Sequence, residues 1–156
     1  MTLRIATDGA CRGNPGPGGW AWAVDAEHYA SGAAGDTTNQ RMELVAVIEA
    51  LRANPDDDVE IVSDSTYVVN CFRDRWHAGW LRRGWKNSQG QPVANRDLWE
   101  DLFGLTFDGD RVVTFTWVKG HAGDPMNEFV DRLATAAADR GAGERAGGGE
   151  TKEHGN

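Results

Sequence analysis

The 156-residue chain is 40% hydrophobic and 26% charged, enough for one compact domain with its own core and unlike a disordered protein. Sixteen basic against 24 acidic residues give a net charge of −8, which taken alone argues against a nucleic-acid partner, and two cysteines exclude a disulfide framework or a zinc cluster. No apolar run approaches the roughly 20 residues of a membrane helix and the start MTLRIATDGA is no signal peptide, so no membrane contact and a reducing, cytoplasmic compartment are expected. Leu3 to Asp8 alternates as a strand and runs into a glycine- and proline-rich loop, Gly9 to Gly19. Trp20, Trp22 and Val24 alternate again, and His28 to Ala34 returns as a third, antiparallel strand. Thr37-x-x-Gln40 has the form of a capping box, and Leu44, Val47, Ile48 and Leu51 form the apolar stripe of a helix that Pro55 ends. Val59 to Ser63 predicts a short buried parallel strand, after which Ser65 caps a helix through Tyr67 and Val68 towards Phe72. Further helices are expected over Trp76 to Arg83 and Asn95 to Leu105, then a strand over Arg111 to Trp117. Asp124-Pro125 opens the last helix, striped by Val130, Leu133, Ala134 and Ala137. The pattern predicts an α/β domain over residues 1–140 with a five-strand mixed sheet and helices on its faces. The glycine-rich charged stretch 141–156 is expected to be a disordered tail outside it.

Charge is unevenly spread. Arg73, Arg75, Arg82, Arg83 and Lys86 face one acidic residue, Asp74, a local +4 that leaves −12 on the rest of a chain at −8. A basic segment on an acidic body suits a localised polyanion contact, although most charge runs are solvated faces. Asp8 closes the first strand and Asp64 the fourth, where functional groups gather in open α/β sheets. Glu43 and Asp131 border the apolar stripes of their helices. Each acid alone is most simply a cap or a solvated charge. Four converging without a counter-charge would repel, a conflict that hard divalent cations such as Mg²⁺ or Mn²⁺ resolve. His121, between Gly120 and Gly123, has the setting of a mobile proton shuttle or of a plain surface residue. The glycine loop is followed by a strand, not a helix, and lacks a Gly-Lys-Ser/Thr, which rejects nucleotide-cofactor binding.

Five motifs occur in order: Thr7 to Gly19 (TDGACRGNPGPGG), Thr37 to Leu44 (TTNQRMEL), Ser63 to Val68 (SDSTYV), Trp117 to Gly123 (WVKGHAG) and Asn127-Glu-x-x-Asp131. Together they resemble bacterial type 1 ribonuclease H over almost all of residues 1–140. The resemblance implies a five-strand mixed sheet with its second strand antiparallel to the rest. It implies an endonuclease that hydrolyses the RNA strand of RNA–DNA hybrids with two Mg²⁺, for which Mn²⁺ can substitute, leaving 5′-phosphate and 3′-hydroxyl ends. The metal-binding carboxylates it implies are Asp8, Glu43, Asp64 and Asp131, with His121 as the fifth catalytic residue. Contacts to the nucleic-acid backbones fall on Cys11, Asn14, Thr38, Asn39 and Arg41. Gln40 and Thr66, which would face the RNA 2′-hydroxyls, depart from the family's usual asparagine and glutamine. Trp76, Trp80, Arg82, Arg83 and Lys86 lie in a segment resembling the family's basic protrusion, where Leu81 replaces a frequent lysine; Trp76 is the best candidate for a DNA-sugar contact. A monomer without an obligate protein partner is expected. The rival readings are a non-catalytic hybrid-binding protein on the same fold and a DNA-directed nuclease or strand-transferase.

Overall fold

A computed structural model describes residues 2–147. Six strands form one sheet: β1 (Thr2–Cys11), β2 (Gly16–Asp25), β3 (His28–Thr37), β4 (Asp58–Ser63), β5 (Val113–Trp117) and β6 (Arg145–Ala146), in the order β5-β4-β1-β2-β3-β6. β1, β4 and β5 run parallel, β2 is antiparallel to both of its neighbours, and β6 pairs with β3. The mixed sheet expected from the sequence is present, with one strand more than predicted. That extra strand lies in the expected tail: Arg145 and Ala146 pair with Ala30 and Tyr29, and Ser31 N–H donates to the Glu144 carbonyl at 2.7 Å. The remainder of the tail, 148–156, lies outside the described residues.

Period-two alternation decides the layers. Ile5 and Trp22 point to one face, where they pack with Leu44, Val47 and Leu51 of α1 (Asn39–Ala53) and with Trp99 and Leu102 of α4 (Arg96–Phe107). Ala6, Ala21 and Ala23 point to the other, against Val130, Leu133 and Ala134 of α5 (Pro125–Arg140). The second face is lined by alanine and bare backbone, so α5 sits close to it. Two short helices, α2 (Thr66–Arg73) and α3 (Trp76–Arg82), lead to the basic segment. Trp80 is buried at 9% exposure among Trp76, Trp85, Trp99 and Phe103, which makes the protrusion an extension of the aromatic core.

Several element ends move. β1 runs past Asp8 to Cys11, because its pairing with antiparallel β2 continues after the parallel ladder to β4 stops at Ala6. Gly16 to Gly19, expected in the loop, belong to β2. The cap of α1 is Thr38, whose hydroxyl accepts from Arg41 N–H at 3.2 Å, one residue after the predicted Thr37. Thr37 remains in β3, paired with Gly16. Ser65 and Asp124 cap α2 and α5 as expected.

Candidate active site

Asp8 follows Ala6 by two residues on β1 and therefore faces α5. At 7% exposure it is buried beyond the end of the β1–β4 ladder. Gly9 faces the other way, where a side chain would collide with the backbone of Met42 and Glu43. Glycine there lets the first turns of α1 approach the sheet, which brings Glu43 to the same end of the molecule. Asp64 is the first residue after β4, and Asp131 lies on the second turn of α5. The site thus straddles the carboxyl end of β1 and β4, with one acid from each flanking helix.

The electrostatics show which acids meet. Burial, then the Asp64 charge, then Asp131, drive the Asp8 carboxyl far above the ordinary carboxylate range, and Asp131 stands within side-chain hydrogen-bonding reach of it. Only the Gly9 N–H pulls the other way. Burial and Asp64 also raise Glu43, partly offset by the Ser65 hydroxyl, which donates to Glu43 Oε1 at 2.7 Å. Ser65 accepts from Val68 N–H at the same time, so one hydroxyl starts α2 and holds a site carboxylate. The sequence marks Ser65 as a cap; its second role requires knowing that α1 lies alongside.

Among the described residues no cationic side chain offsets the charge around Asp8, and the donors are all hard oxygens, the set that Mg²⁺ or Mn²⁺ prefers. Among those same residues no three His, Cys, Asp or Glu side chains stand close enough together to form a ready-made metal-binding group. Carboxylates that repel one another without forming a closed cage fit a divalent cation that keeps part of its water shell. Asp8, Glu43, Asp64 and Asp131 are the residues that would hold it. His121 is exposed, with φ of 57° between Gly120 and Gly123. A left-handed histidine carries backbone strain of about 1 kcal/mol or more, a strain shared here by Arg75, Trp85 and Asn95.

The other predicted residues form two surfaces. Cys11, Asn14, Thr38 and Asn39 meet beside the β1–β2 turn: Asn14 Oδ1 accepts from Asn39 N–H at 2.8 Å, and Cys11 Sγ lies 3.4 Å from the Thr37 carbonyl, to which it can donate. Gln40 and Thr66 are exposed at the starts of α1 and α2. Arg41 grips Asp97 through two hydrogen bonds, at 3.0 and 2.8 Å, and also donates to Asn95 Oδ1 at 3.3 Å. Asn95 in turn donates to the Tyr67 hydroxyl at 3.1 Å. Asn95 and Tyr67 are not legible as site neighbours in the sequence, because Asn95 takes a left-handed φ of 60° that no local pattern announces. On the protrusion, Arg82, Arg83 and Lys86 are exposed, and half-buried Trp76 borders a cleft of about 410 Å³ with Arg75 and Arg83. Trp80 is the exception. Its rings pack mainly against Trp76, Trp85, Trp99 and Phe103, and only an edge lines the same cleft.

The RNase H family model matches residues 2–139. The chain is 50% identical over 139 residues to a Ribonuclease H of Acidiphilium cryptum, covering 86% of this chain and 85% of that one. It is 48% identical over 140 residues to a Ribonuclease H of Thermus thermophilus, covering 87% and 83%. Among solved structures, LC9-RNase H1, described as a type 1 RNase H with the type 2 active-site motif, superposes with a TM-score of 0.75 at 31% identity, covering 95% of this chain and 80% of that one. RNase H1 of the halophilic archaeon Halobacterium salinarum gives 0.65 at 27% identity, covering 90% and 99%. With the sheet topology and the gathered carboxylates already in place, these likenesses settle the matter: the chain is an enzyme of the bacterial type 1 ribonuclease H family.

Proposed function

We propose that this enzyme hydrolyses the RNA strand of RNA–DNA hybrids as an endonuclease, using two divalent metal ions and leaving 5′-phosphate and 3′-hydroxyl ends. The observation that carries the reading is the convergence of Asp8 with Asp64 and Asp131 without a basic partner, a repulsion that a bound cation would offset. When bound, Mg²⁺ or Mn²⁺ would supply activation of water and stabilisation of charge on the phosphate and leaving oxygen. The protein's own part is placement. Asp8 and Asp131 present oxygens from the α5 side, Glu43 from the α1 side under the hold of Ser65, and Asp64 from the end of β4. His121, on its exposed glycine-flanked turn, is free to reach a bound substrate and pass a proton. Cys11, Asn14 and Asn39 offer one strand a polar edge, the protrusion's Arg82, Arg83 and Lys86 offer phosphates positive charge, and Arg41 would have to exchange its pairing with Asp97 to join them. A monomer acting in a cytoplasmic compartment is part of the same reading. Among the described residues no helix is long and apolar enough to cross a membrane.

A gel assay on hybrid, duplex DNA and duplex RNA, each with and without Mg²⁺, tests it. Metal-dependent cutting of RNA in the hybrid alone is expected. Binding without cutting would favour an inert hybrid-binding protein, and cutting of duplex DNA a DNA-directed nuclease.

A further inference from the structure

The segment joining β5 to α5 meets Asp64 from two sides. Trp117, the last residue of β5, is in register with Ser63, and its indole Nε1–H donates to the Asp64 carbonyl at 3.2 Å. Three residues on, Gly120 passes so close to the acid that a Cβ there would lie 2.7 Å from Asp64 Oδ2. The Val118 N–H continues the strand pairing by donating to the Ser63 carbonyl at 3.0 Å, so the two strands stay locked together up to the acid. Trp117 is 43% exposed. An indole this open gains little from burial, and what distinguishes its position is the directed N–H. Asp64 lies just beyond its strand, whereas Asp8 is buried in β1 and Glu43 is held by Ser65.

We infer that Trp117 and Gly120 are positioning residues for Asp64, the indole N–H anchoring its main chain and the missing Cβ leaving its carboxylate room to face the site. The inference rests on the proposed reading of Asp64 as a metal-binding carboxylate. The same short segment carries His121, so one stretch of chain sets both the acid and the histidine, and slack at Trp117 is transmitted to both.

The test compares Trp117→Phe, which keeps an aromatic ring and removes only the donor, Gly120→Ala, and Asp64→Asn as a reference. Turnover is measured on a hybrid substrate, and Mn²⁺ affinity is measured by calorimetry on the full chain without substrate. Trp117→Phe is expected to lower kcat about 3- to 10-fold, the worth of one hydrogen bond, with KM for the hybrid unchanged and Mn²⁺ affinity reduced by a similar factor. Gly120→Ala is expected to lower kcat by roughly 100-fold, as a displacement near 1 Å does at a reacting centre, with melting close to the parent. A Phe variant with parental kcat and Mn²⁺ affinity overturns the inference. So does one whose entire loss lies in KM, which would make Trp117 a substrate contact. If Asp64→Asn itself keeps activity and Mn²⁺ binding, the reading of the site fails, whatever the Trp117 variant does.

Discussion

Burial and the neighbouring Asp64 and Asp131 hold the proton on Asp8 far above the pH at which an unfolded aspartate, near 3.8, gives it up. Between those limits the unfolded chain binds fewer protons than the native one, so without metal the fold loses stability as pH rises, by at most about 1.4 kcal/mol per pH unit from this group. Asp8→Asn has no proton to lose. In calorimetric melts with a chelator, the variant should gain on the parent between pH 5 and pH 8 while cleaving nothing in the presence of Mg²⁺. A variant less stable than the parent at pH 8 would make Asp8 a structural cap. His121, by contrast, is exposed on the turn between Gly120 and Gly123. His121→Ala should slow turnover by roughly 10²–10⁴-fold, the usual worth of proton transfer, with hybrid affinity and Mn²⁺ binding unchanged. Loss of metal binding in that variant would identify His121 as a ligand.

Arg111 shows an element held by a residue from elsewhere in the chain. Its guanidinium, at the entrance to β5, donates to the carbonyls of Leu51 and Asn54 at the end of α1 (3.2 and 2.5 Å) and to that of Leu105 in α4 (3.5 Å). One cation thus closes the C-terminus of one helix and ties it to a second, where the helix dipole also favours positive charge. Arg111→Ala should cost about 1–3 kcal/mol in urea unfolding, because those carbonyls lose their donor, and leave kcat on hybrid untouched. An unchanged midpoint would mean that water replaces the guanidinium freely. Such ties explain what the sequence can and cannot reveal. The helix α1 stripe, the caps Ser65 and Asp124, and the acids bordering the stripes are local patterns, and all stand where periodicity puts them. What escapes such patterns depends on partners distant in the chain: β1 continuing past Asp8 because β2 pairs with it, the edge strand β6, and the links of Glu43 to Ser65 and Arg41 to Asn95. Trp80 reads as a contact residue in the sequence because a tryptophan among arginines has the same spacing whether it faces a nucleic acid or the aromatic core, and here it faces the core.

The charge map of the whole chain opposes a body at −12 to a protrusion segment at +4. Exposed Arg82 and Arg83 sit on α3 and its end, while Trp80 and Trp85 anchor the segment to the core. Replacing both arginines by alanine should raise KM for the hybrid, leave kcat at saturation nearly unchanged, and flatten the log–log salt dependence by about one unit for each phosphate no longer neutralised. The measurement is KM at two salt concentrations for parent and variant, and an unaltered slope would place the grip elsewhere. This separation of charge also acts before protein and duplex touch. In the field of a polyanion the body is pushed away and the protrusion pulled in, which exerts a torque on the tumbling molecule and turns its basic end to the duplex first. At low ionic strength most encounters would then begin from one pose, and raising salt would widen the range of arrival angles, so that productive association slows through lost alignment as well as through weaker attraction.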